Sequence, residues 1–87
     1  MRYTVTILPA ALKALQNLSL GDQRRARVKI DGLADNPRPP GGVKLKGHVN
    51  LFRCRVGDYR IIYQIIDTRL LVTVIDMGHR REIYRDL

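Results

Sequence analysis

A Gly-Asp pair at positions 57 and 58 separates two stretches of β character, and this hairpin restricts the possible folds more than any other feature of the chain. Before it, Phe52, Cys54 and Val56 alternate with Arg53 and Arg55, the two-residue period of a half-buried strand. After it, Tyr59 to Ile66 is rich in isoleucine and tyrosine, as strands are. Glycine in the first turn position suits a type II′ turn, which needs positive φ there. Val56 then pairs with Tyr59 and Arg55 stands directly opposite Arg60, with Cβ atoms roughly 4.5–5.5 Å apart. Arg53 lies two residues along on the same face. Facing like charges destabilise a hairpin, and guanidinium cannot escape by losing its proton. A bound anion resolves the conflict, and phosphate is the leading candidate because the planar guanidinium fork matches its oxygens.

The rest of the chain supplies elements around this hairpin. Arg2 to Leu8 alternates Tyr3, Val5 and Ile7 with Thr4 and Thr6 and reads as a first strand. Pro9 suits the first turn of a helix in which Ala11, Leu12, Leu15 and Leu18 recur at helical spacing. Ser19 and Asp22 form a capping-box pattern that opens a second helix, with Ala26, Ile30, Leu33 and Ala34 on one face. Asn36-Pro37 ends that helix, since proline pushes the preceding residue out of the α region. Positions 38–42 form a loop, and Val43 to Lys46 a short edge strand. Asn50–Val56, Tyr59–Ile66 and Arg69–Asp76 follow as three strands, with Asp67-Thr68 as a second tight turn. The order β-α-α-β-β-β predicts one α+β domain over residues 1–87, with two N-terminal helices packed on one face of a mainly antiparallel sheet and the arginines on the other.

Charge sets the class of partner. Sixteen Lys and Arg against eight Asp and Glu give a net charge of +8 on 87 residues. A small basic domain points to nucleic acid or to an acidic protein. The lone Cys54 excludes an internal disulfide framework and suits a reducing cytosol. Nothing in the chain reads as a secretion signal or a membrane span, so a cytoplasmic protein is expected.

If Asp67-Thr68 is a two-residue turn, Arg60 pairs with Ile75, and Gly78-His79-Arg80-Arg81 returns to the rim of the Arg55/Arg60 patch, with Tyr84 shortly after. Such a surface can hold a phosphodiester, steady a pentavalent phosphorus and exchange protons. No carboxylate pair, metal-spaced Cys/His cluster, Gly-rich phosphate loop or nucleophile–base pair is present, so no metal or cofactor is expected. Cleavage of RNA stays open, because RNA brings its own 2′-hydroxyl nucleophile. Each residue also has an ordinary reading. Arg53 fits an outward strand residue, His79 an exposed loop histidine, Tyr84 an aromatic that packs the tail, and Arg24 to Lys29 a solvated helix face.

Three strings together carry a resemblance: Lys44-Leu45-Lys46-Gly47, the run from Phe52 to Tyr63, and Gly78-His79-Arg80-Arg81-Glu82-Ile83-Tyr84. Over nearly the whole chain the sequence resembles the RelE/ParE toxin superfamily, and most of all its RelE branch. The resemblance implies the toxin of a toxin–antitoxin pair that cuts messenger RNA in the ribosomal A site, beside the 16S rRNA, and meets operator DNA only through its antitoxin. It implies that Arg60 stabilises the transition state, Arg80 assists the leaving 5′-oxygen, and Tyr84 stacks on or orients the nucleotide. Arg53 and Arg55 would grip the RNA backbone, with Lys44, Lys46 and Arg81 as further RNA contacts. One departure stands out: the family pattern has lysines, one of them the general base, where this chain has Arg53 and Arg55. Arginine is a poor base, so three expectations stay open: another group such as His79 is the base, the ribosome does much of the positioning, or the activity is weak. A ParE-like poison of DNA gyrase and a non-catalytic basic nucleic-acid-binding module are the alternatives.

Overall fold

The computed structural model describes residues 2–79. Strand β1 (Thr4–Ile7) leads into helix α1 (Pro9–Gln16), with Pro9 in its first turn as expected. Ala11 and Leu15 are buried, whereas Leu12 remains 38% exposed at the edge of the packed stripe. Helix α2 (Leu20–Gly32) is capped by Ser19, whose Oγ accepts from the Asp22 N–H at 3.2 Å. Ala26, Ile30, Leu33 and Ala34 are buried, as their spacing predicts. The helix stops earlier than Asn36-Pro37. Leu33, Ala34 and Asp35 donate to carbonyls three residues back, so the chain leaves Gly32 in tighter turns before it reaches the proline.

The sheet is five-stranded, in the order β1-β5-β4-β3-β2. Strand β2 is only Val43–Lys44, shorter than expected, β3 is Leu51–Val56, and β4 is Tyr59–Ile66. Gly57 has φ +57 while Asp58 is not in the positive-φ region, the signature of a type II′ turn. The pairs Val56–Tyr59 and Arg55–Arg60 follow from it.

The second turn departs from the expected geometry. Asp67–Arg69 forms one turn of 3₁₀ helix, and Leu70 adopts φ +49, so the connection has four residues in place of two. Strand β5 is therefore Leu71–His79 rather than Arg69–Asp76. A bulge adds a further residue: Tyr63 pairs with Val74, but Ile62 pairs with Asp76. Longer turn and bulge together place Arg60 opposite Gly78, correcting the expected partner Ile75. β1 lies parallel to β5, with Thr4 beside Leu71 and Ile7 beside Val74, which makes the sheet mixed.

Both helices lie on one face of the sheet. Ile61, Tyr63, Ile65, Val72 and Val74 are essentially inaccessible to solvent and pack with Ala11, Leu15, Ala26, Ile30 and Leu33. The Tyr63 hydroxyl is satisfied inside this core by the Pro37 carbonyl. No helix among the described residues is long and apolar enough to cross a membrane.

Candidate nucleic-acid interface

Side chains alternate across a strand, so the buried positions define which residues point the other way. Cys54 and Val56 on β3 and Ile61 and Tyr63 on β4 face the helices. Arg53, Arg55, Arg60 and Ile62 must then share the opposite face. Arg55 is directly opposite Arg60, and Arg53 is opposite Ile62. Arg55 is exposed, while Arg53 and Arg60 are half-buried with their Nε atoms shielded from solvent. Ile62, the ladder partner of Arg53 and two residues from Arg60, is only 3% exposed on this face.

Other residues read from the sequence fall elsewhere. Lys44 pairs with Phe52, so it shares the Phe52 side of the sheet, and it is Val43 that pairs with Arg53. Lys46 sits in the β2–β3 connection, where Lys44, Leu45, Lys46, Gly47, His48 and Val49 line an open depression. His79 pairs with Tyr59, and the two rings meet edge to face at 6.1 Å and 83°. Paired residues project to the same face, so His79 belongs with Tyr59 on the helix side. Gly78 is the residue that faces Arg60. The expected position of His79 at the rim of the arginine patch assumed an unbroken ladder: the longer turn slides β5 by two residues and keeps each side chain's face, and the one-residue bulge reverses it. Arg80, Arg81 and Tyr84 lie outside the described residues.

One acidic residue on this face was not singled out from the sequence. Met77 is buried in the core, so its neighbours Asp76 and Gly78 point to the arginine side. The Asp76 Oδ1 accepts from the Met77 N–H at 2.8 Å. A signal exists in the chain: Val72 and Val74 share a parity that Met77 breaks, as a bulge between them requires.

At the border of the face, Arg55 also lines a groove with Arg25, Val28, Lys29, Gly32, Leu33, Asn36, Pro39 and Val56. Its floor is largely apolar and its rim carries three cations. Val28 is 74% exposed there. Beneath the face, burial pushes the Cys54 thiol up to about 11, against a smaller opposing pull from Lys29. Cys54 is a packed thiol on the wrong side of the sheet to meet a phosphate.

Residues 5–84 match the family described as the ParE toxin of type II toxin–antitoxin systems, parDE. The chain is 28% identical to the mRNA interferase toxin RelE of Escherichia coli strain K12 over 90 residues, which covers 99% of this chain and 94% of that one. Its fold superposes on the archaeal RelE–RelB complex of Pyrococcus horikoshii with a TM-score of 0.83 and 32% identity, covering 94% of this chain and 99% of that one. The intact E. coli RelBE toxin–antitoxin complex gives a TM-score of 0.77 at 26% identity, with 88% and 95% covered. A matching profile over most of the chain, with a shared helix-on-sheet architecture, settles the class: the protein belongs to the RelE/ParE superfamily of type II toxins, within its RelE-type branch.

Proposed function

We propose that this protein is an mRNA interferase: a toxin that enters the ribosomal A site and cleaves the message there by attack of the RNA 2′-hydroxyl on the adjacent phosphorus. The observation that carries this reading is the Arg55–Arg60 pair with Arg53 beside it on one face of the sheet. Three guanidinium groups on a sheet face can bind the scissile phosphodiester in two-bond contacts and offset the charge that builds on its oxygens. Arg60 is assigned the transition-state role, and Arg53 and Arg55 the backbone grip. Lys44, Lys46 and Arg81 extend the RNA contact, while Arg80 and Tyr84 keep the leaving-group and nucleotide-stacking roles that the resemblance implies. The chemistry proposed uses no metal, because the nucleophile belongs to the substrate and the charge is met by arginine.

The antitoxin completes the system. Relatives are known in RelE–RelB complexes, and we assign this chain a cognate antitoxin with an acidic or amphipathic segment. The groove rimmed by Arg25, Lys29 and Arg55 offers apolar contact and positive charge in one place. An occupant there would cover Arg55, so neutralisation and RNA binding would compete. Contact with operator DNA is assigned to the antitoxin.

The reading is tested by producing the protein in a translating extract and mapping mRNA ends. Cuts within A-site codons that leave 2′,3′-cyclic phosphate, lost in Arg60→Ala, are expected. The family profile is described by its ParE members, so poisoning of DNA gyrase is the second reading. Uncut mRNA together with gyrase-linked DNA breaks would establish it in place of the first.

A further inference from the structure

Among the described residues so far placed in the nuclease reading, none accepts a proton. Arg53 and Arg55 cannot serve, because guanidinium does not give up its proton in proteins. His79 pairs with Tyr59 on the helix side of the sheet. The bulge in β5 supplies another group. Val72 and Val74 point into the core, and unbroken alternation would bury Asp76 and turn Met77 outward. The extra residue, Ile75, reverses that parity: Met77 is 4% exposed, and Asp76 pairs with Ile62 on the arginine face. Ile62 is flanked on that face by Arg60, two residues away on β4, and by Arg53, its partner on β3. A diagonal neighbour such as Arg60 has its Cβ roughly 7–8 Å from that of Asp76, a span that a phosphodiester and its ribose can bridge.

The carboxyl group is held in place. The Met77 N–H donates to Oδ1 at 2.8 Å, and among the described residues Asp76 forms no ion pair. Among the described strand residues, the charged groups that share its face are Arg60 from β4 and Arg53 and Arg55 from β3. On the other side of β5, strand β1 contributes Thr4, Val5, Thr6 and Ile7 and no charge. Lys13 of α1 and His79 belong to the opposite face. Bulges recur beside active sites, where the extra residue re-aims side chains that unbroken alternation would send to the other face.

We infer that Asp76 is the general base of the cleavage, an assignment that rests on the nuclease reading. Its carboxylate takes the proton of the 2′-hydroxyl as the 2′-oxygen bonds to the adjacent phosphorus. The bond from phosphorus to the 5′-oxygen breaks, and that oxygen takes a proton from water. The products are a 2′,3′-cyclic phosphate and a 5′-hydroxyl end, and Asp76 returns its proton to solvent.

Single-turnover cleavage on mRNA-programmed ribosomes, followed against pH, tests the assignment. Asp76→Asn keeps an oxygen for the Met77 N–H but removes the base. The expected rate loss is about 10²-fold or more, with the acid limb of the pH profile flattened. Asp76→Glu is expected to restore part of the rate together with the acid limb. An Asp76→Asn protein that cleaves within a few-fold of wild type overturns the assignment. So does one that is slower but keeps the wild-type pH profile, since Asp76 would then only position Arg60. If Asp76→Asn does not fold, Asp76→Glu decides alone: a displaced acid limb supports the assignment and an unmoved one overturns it. A wild-type protein that never cleaves overturns the nuclease reading itself, a result read without any variant.

Discussion

Tyr63 donates its hydroxyl hydrogen to the Pro37 carbonyl across 2.8 Å, so the middle of β4 anchors the start of the proline-rich loop from inside the core. Burial raises the phenol above its ordinary pKa and keeps it a donor. Tyr63→Phe removes the hydrogen and leaves a buried carbonyl without its partner. The expected cost is about 1–3 kcal/mol, read as a lower urea midpoint with an unchanged slope. An unchanged midpoint would mean that the loop finds another anchor.

Gly57 sets the register on which the arginine pair depends. A Cβ there would meet no heavy atom within 4 Å, so the cost of substitution lies in its φ of +57. Gly57→Ala should destabilise by about 1–2 kcal/mol, seen as a lower melting temperature. Equal melting temperatures would show that the turn relaxes to another type.

Arg55 stands directly opposite Arg60, and like charges so placed oppose pairing. Arg55→Thr removes the repulsion and places a good strand former at an exposed site. A gain of about 0.2–1 kcal/mol is expected in phosphate-free buffer at low salt. Added phosphate should raise the melting temperature of the wild type more than that of the variant, because a ligand stabilises the state that binds it. Equal responses to phosphate would count against an anion site at this pair.

Arg38 forks onto Asp67, with Nη1 to Oδ1 at 3.2 Å and Nη2 to Oδ2 at 2.8 Å, and Tyr3 donates to Oδ1 at 2.6 Å. Hydrogen bonds from Arg38, then from Tyr3, hold the Asp67 carboxyl below its usual range. A depressed folded-state value gives stability that is present above the unfolded pKa of about 3.9. That stability is lost as pH falls through the folded value. Asp67→Asn should therefore melt below wild type at neutral pH, by less in high salt because the group is half-exposed. The gap should close in strong acid, and a constant gap across the whole pH range would refute the linkage.

Cys54 is 2% exposed, and burial raises its thiol to about 11. At neutral pH it should resist Ellman's reagent in the native protein and react only as fast as the protein unfolds. Immediate labelling would place the thiol at the surface.

What was legible in the sequence was local. The II′ turn, the limits of β4, the Ser19 cap and the inward stripe of α2 each depend on residues a few positions apart, and each is present. The departure that reaches the site starts at the β4–β5 turn, where Leu70 takes φ +49 although leucine gives no signal for the left-handed region. That residue lengthens the turn, and the bulge at Ile75 then shifts the far half of β5 again. The turn shifts β5 by two residues and keeps its faces, so the one-residue bulge alone moves His79 off the arginine face and brings Asp76 onto it. The parallel pairing of β1 with β5 joins the two ends of the described chain, and no spacing within either strand announces it.

That pairing has a consequence for how the protein comes into being. Strand β1 precedes the other described strands in the chain, yet its only ladder partner among them is β5, the last of them. The β3–β4–β5 meander can zip through short loops, whereas β1 must wait for the largest loop closure in the fold. Strand β1 therefore stays without its ladder partner until β5 is in place, and the sheet closes along that edge only after the meander has formed.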